Sequence, residues 1–194
     1  MNKKELLHSL KEKGFSQRII KTFEHVERKK FIPESLEKYS YEDTALPLVE
    51  GSTISQPSTI AFMLELLELK GSSKETILEI GSGSGYVLAL LSQLTKGKIY
   101  GVEIIKSLVE QSKKILKNKN IKIYNKDGSQ GLPEQAPFDR ILISAAANEI
   151  PKHLYSQLKE KGILVAPVKN SIYQIKKENN HFKEKEFYCF VFVP

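Results

Sequence analysis

The sequence predicts an α/β fold built on a mostly parallel sheet of seven strands. From residue 76 onward, short apolar runs alternate with stretches whose apolar residues recur at helical spacing, as in repeated strand and helix units. The first apolar run ends in a glycine-rich turn, typical of a strand that leads directly into a helix. Two further apolar segments near the carboxyl end are separated by a polar turn, which indicates an antiparallel hairpin.

The amino-terminal part of the chain predicts helices that pack on this sheet. The expected elements are two helices at residues 4–13 and 16–28, extended connectors at residues 31–33 and 45–48, and a polar turn at residues 52–57. A further helix begins at Pro57, because the fixed φ of proline suits a first helical turn. We therefore expect one domain over residues 1–194, with an extension at residues 1–56 and a core at residues 57–194.

The core is expected to alternate strands and helices. Its strands are predicted at about residues 76–81, 98–103, 121–124, 139–145 and 163–166. Its helices are predicted at about residues 84–95, 106–117 and 151–159, with Pro151 at the start of the last helix and Gly162 after its end. The closing hairpin consists of a strand containing Tyr173 and Ile175, a turn at residues 178–181, and a strand at residues 187–193.

Composition limits the class of protein. The chain has 194 residues, of which 40% are hydrophobic and 27% charged, as in ordinary globular proteins. The lone cysteine, Cys189, excludes an intrachain disulfide framework, and the apolar runs are too short to span a bilayer. The first residues carry charge but no long apolar segment, so no secretion signal is expected. We expect a cytoplasmic monomer.

The net charge of +7 raises the question of nucleic-acid binding. The densest run of lysines falls on the outer face and exit of a predicted helix: Lys113, Lys114, Lys117, Lys119 and Lys122. Aromatic residues that could stack on bases do not alternate with them, and no zinc-finger spacing is present. The pattern favours a solvated face without specific nucleic-acid binding, although a positive field can attract an anionic substrate.

The glycine turn predicts a nucleotide-like ligand. Gly81, Gly83 and Gly85 follow the buried apolar run and allow a ligand to approach bare backbone. A dinucleotide loop has the spacing G-x-G-x-x-G, whereas this loop reads G-x-G-x-G with Glu79 before it. Glu79 would repel a pyrophosphate but suits an ammonium group. The loop resembles the first motif of Rossmann-like S-adenosylmethionine-dependent methyltransferases; the alternative is a tight turn without a ligand.

Acidic residues follow the next two predicted strands. Glu103 ends the second strand, where a carboxylate can accept hydrogen bonds from both ribose hydroxyls; the alternative is a cap for the following helix. Asp127 and Gly128 follow the third strand, on the sheet edge where open α/β sheets bind ligands. In adenosylmethionine enzymes a polar residue here commonly meets the adenine amino group, although an Asx turn also explains Asp127.

A more specific resemblance covers the chain from its amino-terminal helices to its last residue. It rests on segments that occur in order: Tyr41 to Asp43, Leu46 to Leu48, Gly51 to Pro57, Leu78 to Tyr86, Asp127 to Gly128, Ala136 to Asp139, Ala145 to Ala147 and Phe192 to Pro194. These segments resemble the protein-L-isoaspartate (D-aspartate) O-methyltransferases, and Thr53-Ile54-Ser55-Gln56-Pro57 is the most selective of them. The resemblance implies a repair enzyme that methylates the free carboxylate of L-isoaspartyl residues in damaged proteins and peptides, with D-aspartyl residues as a second candidate acceptor, converting S-adenosylmethionine to S-adenosylhomocysteine.

The resemblance also implies roles for individual residues. Ser55 matches the serine treated as the active-site residue, and the expected cofactor contacts come from these positions: Thr53, Ile54, Glu79, Gly81, Ser82, Gly83, Gly85, Glu103, Asp127 and Gly128. The accepting carboxylate is already ionised at neutral pH, since its pKa lies at roughly 3.5 to 4, so no strong catalytic base is required. Ser55 is therefore expected to orient the substrate carboxylate or to close over the cofactor; a helix cap is the alternative.

The histidines and the departures from the family pattern complete these expectations. The four histidines are not spaced as metal ligands, and no metal site is expected. Ser52 replaces a common glutamine, Lys169-Asn170 replaces a common glycine, and the sequence ends at Pro194 without the tail that helps many members cover the cofactor. Two alternatives stay open: a methyltransferase of this fold acting on a small molecule or RNA, and a non-catalytic cofactor-binding module.

Overall fold

The computed structural model describes residues 1–70 and 74–188 and confirms the predicted α/β fold. In this part of the chain the α-helices are α1 (Lys3–Glu12), α2 (Gln17–His25), α3 (Pro57–Leu66), α4 (Tyr86–Leu94) and α5 (Lys106–Ile115). The strands are β1 (Leu46–Pro47), β2 (Thr53–Ile54), β3 (Ile77–Ile80), β4 (Ile99–Glu103), β5 (Ile121–Asn125), β6 (Phe138–Ile143), β7 (Leu158–Val168), β8 (Ser171–Glu178) and β9 (His181–Tyr188). Short 3₁₀ helices lie at Arg28–Phe31, Glu34–Tyr39, Pro133–Gln135 and Lys152–Gln157.

The main sheet has seven strands in the order β5-β4-β3-β6-β7-β8-β9. The pairs from β5 through β7 are parallel, and the pairs β7-β8 and β8-β9 are antiparallel. From β3 the chain adds β4 and β5 on one side and then returns to place β6 on the other. This reversal creates a switch point beside β3, the position at which open parallel sheets leave a crevice for ligands.

Two hydrophobic clusters sandwich the sheet because successive strand residues face opposite sides. Ile77 packs in the cluster that also contains Leu6, Leu10 and Phe23 from the amino-terminal helices. The neighbouring Leu78 packs in the other cluster, with residues of β4, β6 and β7. The helices before the sheet are therefore part of one core with β3.

Local signals explain where the helices beside the crevice begin. Pro57 is the first residue of α3, as predicted, and the Asp43 carboxylate accepts a hydrogen bond from the Ser58 N–H at 2.8 Å. Gly85 is the N-cap of α4 with φ 84°, a left-handed conformation that glycine adopts without strain. The glycine turn thus delivers the chain from β3 into α4.

The predicted helix at residues 151–159 was wrong. Only a 3₁₀ helix at Lys152–Gln157 forms, and β7 already begins at Leu158 instead of at residue 163. Leu158 is buried and pairs with Phe138, so pairing with β6 outweighs the local helical pattern. Gly162 lies inside β7 next to a register shift instead of behind a helix; a Cβ there would lie 2.7 Å from Leu158 Cγ.

The closing hairpin forms around the predicted turn. Asn179 and Asn180, both with positive φ, connect β8 to β9. The strand predicted at residues 187–193 begins earlier, at His181, and residues 189–193 lie outside the described residues, as does the Phe192 to Pro194 segment. Within the described residues, no helix is both long and apolar enough to cross a bilayer.

Candidate active site

A cavity of about 480 Å³ opens at the carboxyl ends of β3, β4, β5 and β6. Its volume lies in the range of small-molecule sites. The lining comes from five loops and a 3₁₀ helix: Gly51, Ser52, Thr53, Ile80, Gly81, Gly83, Val102, Glu103, Ile104, Ile105, Asp127, Gly128, Ser129, Ile143, Ser144, Ala145, Ala146, Ala147, Pro151 and Leu154. Six of the predicted site residues are among them: Thr53, Gly81, Gly83, Glu103, Asp127 and Gly128.

The glycine loop passes directly over the end of the sheet. Gly81 has φ 77°, and a Cβ added to it would lie 2.8 Å from the Ala145 Cβ and 3.0 Å from the Ala145 N. Gly83 has φ 52° and lines the cavity. Both positions therefore need glycine for backbone conformation, and Gly81 also needs it for the close approach of the β6 loop.

Glu103 binds this loop as well as facing the cavity. Its carboxylate is buried, with Oε2 accepting from the Gly83 N–H at 2.7 Å and Oε1 accepting from the Ile105 N–H at 2.8 Å. Each carboxylate oxygen has two lone pairs, so both oxygens keep capacity for a ligand hydroxyl. The bond to Gly83 was not foreseen from sequence, since it joins the end of β4 to the loop after β3.

Glu79 is a buried acid behind the cavity. Its side chain is 1% exposed, and Oε1 accepts from the Ser144 hydroxyl at 2.7 Å, while Oε2 has no hydrogen-bond partner within the described residues. The pKa of Glu79 is raised to about 8, mainly by burial; the Ser144 hydrogen bond lowers it and the nearby Glu103 carboxylate contributes a smaller increase. Ser144 lines the cavity, whereas Glu79 does not. The Glu79 carboxylate therefore lies behind the residues that form the cavity wall.

The Asp127 turn forms part of the cavity wall. Asp127 Oδ1 accepts from the Ser129 N–H at 2.8 Å, which is the Asx turn considered as an alternative. Asp127 also lines the cavity, so the turn and a ligand contact are compatible. A Cβ on Gly128 would lie 2.6 Å from Ile80 Cγ2, which explains glycine at that position.

The β1–β2 hairpin also lines the cavity. Gly51, Ser52 and Thr53 line it, and the Ser107 hydroxyl on α5 donates to Glu50 Oε1 at 3.0 Å. Ile54, the next residue on β2, is buried in the core because strand residues alternate in direction. The hydrogen bond between Ser107 and Glu50 connects the hairpin to the start of α5, which follows Glu103.

Ser55 follows β2 and is half-buried. The N-cap of α3 is Gln56, so Ser55 is not the helix cap that the sequence left as an alternative. Its backbone carbonyl accepts a hydrogen bond from Arg28 Nη2 at 2.9 Å. Ser55 lies beside the cavity-lining hairpin without itself lining the cavity.

Ser82 and Gly85 of the glycine loop lie away from the cavity lining. Ser82 is buried, and its hydroxyl lies beside Gly101 on β4. A Cβ on Gly85 would lie 2.9 Å from both Leu116 Cδ1 and Ser112 Cβ. The third glycine of the motif thus lets the end of α5 pack against the start of α4.

Sequence reasoning missed apolar residues that complete the walls. Ile104 is 66% exposed and Ile105 follows it, both directly after Glu103. Their position next to a strand-end acid was a usable signal. Pro151 and Leu154 carried no such signal. The sequence pattern there predicts an α-helix, whereas the structure has a 3₁₀ helix that brings both residues to the cavity. In the described part of the chain, no group of three or more His, Cys, Asp or Glu side chains is arranged to hold a metal ion.

Replacing Glu79 with glutamine should stabilise the ligand-free protein at alkaline pH. The raised pKa means that the folded wild type keeps a proton that the unfolded chain releases above about pH 4.5. Wild-type stability from this group is therefore full below about pH 4.5 and is lost as the pH rises toward about 8, whereas glutamine cannot ionise. We expect similar Tm values at pH 4.5 and a Tm higher by roughly 5 °C or more for Glu79→Gln at pH 8.5.

Thermal unfolding followed by circular dichroism at both pH values provides the measurement. The control is Glu110→Gln, because Glu110 is an exposed carboxylate on α5. A Tm difference between wild type and Glu79→Gln that stays constant from pH 4.5 to 8.5 would contradict the raised pKa.

Comparison with known proteins assigns the family. A sequence model of the protein-L-isoaspartate(D-aspartate) O-methyltransferases matches residues 1–194. The chain is 38% identical to the protein-L-isoaspartate O-methyltransferase of Parvibaculum lavamentivorans, over 98% of this chain and 89% of the relative. It is 41% identical to the enzyme of that name from Fervidobacterium nodosum, over 97% of this chain and 98% of the relative.

A solved structure supports the same assignment. A Plasmodium falciparum protein, described as a candidate protein-L-isoaspartate O-methyltransferase and solved in complex with S-adenosyl-L-homocysteine, superposes with a TM-score of 0.84. The two are 29% identical, over 98% of this chain and 97% of that one. By sequence and by fold, the chain belongs to the protein-L-isoaspartate(D-aspartate) O-methyltransferase family.

Proposed function

We propose that the chain transfers a methyl group from S-adenosylmethionine to the free carboxylate of L-isoaspartyl residues, and of D-aspartyl residues, in damaged proteins and peptides. The single observation that carries the proposal is the pairing of two loops across one cavity. The glycine loop, which the proposal assigns to the methyl donor, lines the same cavity as the β1–β2 hairpin, which leads into the family segment around Ser55. Donor and acceptor loops therefore share one site.

The cavity residues fit S-adenosylmethionine. Glu103 has spare acceptor capacity for the ribose hydroxyls, and Asp127 with Gly128 would meet the adenine. Gly81 and Gly83 would leave room for the amino acid portion. The unpartnered, buried Oε2 of Glu79 suits the ammonium group, which would stabilise the ionised carboxylate. When bound, the cofactor supplies a methyl group on a positively charged sulfur.

The protein's own residues need to orient the acceptor and exclude water. The substrate carboxylate is ionised at neutral pH, because such groups titrate at roughly 3.5 to 4, so no side chain has to remove a proton. Ser55 is proposed to hold the non-reacting carboxylate oxygen through its hydroxyl. The small residues Ala145, Ala146 and Ala147 leave space for the peptide at the cavity wall.

A methyl-transfer assay with a matched peptide pair tests the function. Radiolabelled S-adenosylmethionine is incubated with the protein and with one peptide that contains either L-isoaspartate or normal L-aspartate. We expect transfer to the isoaspartyl peptide at a rate at least about 100-fold above that to the aspartyl peptide, because acceptor orientation governs the rate. A D-aspartyl peptide extends the series.

Each other outcome assigns a different activity. Transfer to RNA or a small molecule, with none to the isoaspartyl peptide, would indicate a methyltransferase with another acceptor. Binding of S-adenosylmethionine without transfer to any acceptor would indicate a cofactor-binding module. Either result would refute the proposal that isoaspartyl residues are the methyl acceptor.

The remaining expectations from sequence stay predictions. A monomeric state, a cytoplasmic location and the absence of specific nucleic-acid binding are among them. We also treat residues 1–194 as one methyltransferase domain, with residues 1–56 as an extension of the core at residues 57–194. In support of a single domain, Leu6 and Phe23 of the extension pack in the same hydrophobic cluster as Ile77.

A further inference from the structure

Arg28 is a buried cation at the junction of the two halves of the site. It begins the 3₁₀ helix at Arg28–Phe31 and is 0% exposed. Arginine is rarely buried completely unless it is paired. Its surroundings therefore call for a physical explanation.

One side of the guanidinium holds the acceptor segment. Arg28 Nη2 donates to the Ser55 carbonyl at 2.9 Å and approaches the Thr44 carbonyl at 3.5 Å. The first of these bonds fixes the backbone of the residue proposed to orient the substrate. A charged donor makes such a bond stronger than a neutral one.

Arg28 also contacts the helix that follows the glycine loop. Its Cζ lies 5.1 Å from the centroid of the Tyr86 ring, within the range of a cation–π contact. Tyr86 is the first residue of α4, directly after Gly85 of the glycine loop, and is 2% exposed. Phe23 and Phe31 pack against the same ring, with centroids 6.2 and 5.4 Å away. The ring is thus held rigidly at the end of the glycine loop.

Stability does not explain this arrangement well. Within residues 1–70 and 74–188, Arg28 forms no ion pair with a carboxylate, and neither Nε nor Nη1 finds an acceptor in hydrogen-bond geometry. Burial lowers the pKa of the Arg28 guanidinium, and its interactions with Tyr86 and with the charge of Asp43 oppose this only in part. Burying a charge that its partners compensate only in part costs free energy, and apolar replacements of buried ions are often neutral or stabilising. The retained guanidinium therefore has a use other than stability.

We infer that Arg28 is a positioning residue for methyl transfer, which holds the Ser55 segment in register with the glycine loop. The inference deepens the proposed function and rests on it. Arg28 does not line the cavity; it sets the distance between the Ser55 segment and the glycine loop through the Ser55 carbonyl and the Tyr86 ring. A small shift of one loop relative to the other would misalign the reacting groups.

Arg28→Lys tests the inference, with Arg140→Lys as a matched control. Lysine keeps the charge but lacks the planar fork that reaches the Ser55 carbonyl and covers Tyr86. Arg140 is also buried, but it lies near the amino end of β6, where it pairs with Glu75 at 2.7 Å. We expect Arg28→Lys to lower kcat on the isoaspartyl peptide about tenfold or more with little change in the Kd for S-adenosylmethionine, whereas Arg140→Lys lowers Tm and keeps kcat.

A double-mutant cycle with Ser55→Ala separates positioning from general loss of structure. If Arg28 acts through the Ser55 segment, Arg28→Lys should lower kcat no further in the Ser55→Ala background; independent effects would multiply. Rates are measured at a temperature where circular dichroism shows each variant to be folded. Arg28→Met, which fills the same space, is the second variant if the lysine variant does not fold.

The outcomes separate this inference from the proposed function. Wild-type kcat in Arg28→Lys, equal kcat losses in Arg28→Lys and Arg140→Lys, or multiplying effects in the cycle would each overturn the positioning role while the proposed function stands. Absence of transfer by the unaltered protein would remove the proposed function, and this inference with it.

Discussion

Replacing Glu103 with glutamine is expected to raise the Kd for S-adenosylmethionine about 100-fold or more. Each hydrogen bond to a charged group is worth about 1.5–3 kcal/mol, and the carboxylate is placed to accept two from the ribose. The substitution also weakens the cavity itself, because the Gly83 and Ile105 N–H groups both donate to this carboxylate. Isothermal titration calorimetry with S-adenosylmethionine and S-adenosylhomocysteine measures the change.

The matched control is Glu110→Gln, seven positions further along the chain on the exposed face of α5, where the carboxylate pairs with Lys106. This variant should bind both ligands like the wild type, since exposed ion pairs contribute little. For Glu103→Gln we also expect a lower Tm without ligand. A Kd within about threefold of the wild-type value would show that Glu103 serves the fold of the loop and not the ligand.

Replacing Ser55 with alanine is expected to lower kcat on the isoaspartyl peptide about 100-fold while Tm changes by less than about 2 °C. Removing one positioned hydrogen-bond donor from an active site costs on the order of 100-fold or more in rate. The stability cost is small because Ser55 is not the cap of α3, and because its hydroxyl makes no hydrogen bond within residues 1–70 and 74–188. Steady-state kinetics and thermal unfolding measure the two quantities.

Ser58→Ala is the control, since Ser58 lies on the first turn of the same helix and its backbone N–H, not its side chain, bonds to Asp43. It should keep both kcat and Tm. Unchanged kcat in Ser55→Ala would rule out the orienting role. A fall in Tm that parallels the fall in kcat would assign Ser55 to the fold instead.

Several residues that line the cavity could be predicted from sequence. Gly81, Glu103 and Asp127 each follow a separate apolar run, and parallel strands bring their carboxyl ends to one edge of a sheet. The topology therefore brings residues distant in sequence together without any knowledge of side-chain contacts. The same rule located Gly128, and glycine spacing located Gly83.

The two residues of β2 face opposite sides, which the sequence motif does not indicate. Thr53 and Ile54 were both expected at the cofactor, but adjacent strand residues face opposite sides, so Thr53 lines the cavity and Ile54 enters the core. Gly85 was assigned to the ligand by its motif, yet its lack of a side chain serves the packing of Leu116. A sequence motif can indicate that glycine is required at a position, but it does not indicate which neighbouring residue imposes that requirement.

By itself the sequence determined the fold class, the position of the glycine loop and the acids at the strand ends, because these depend on local pattern and on the direction of parallel strands. Only the tertiary structure decided the start of β7 at Leu158, the bond from Glu103 to Gly83 and the contact of Arg28 with Ser55 and Tyr86. These features depend on packing between segments far apart in the chain. Local propensity is too weak to predict such contacts when strand pairing or burial favours another arrangement.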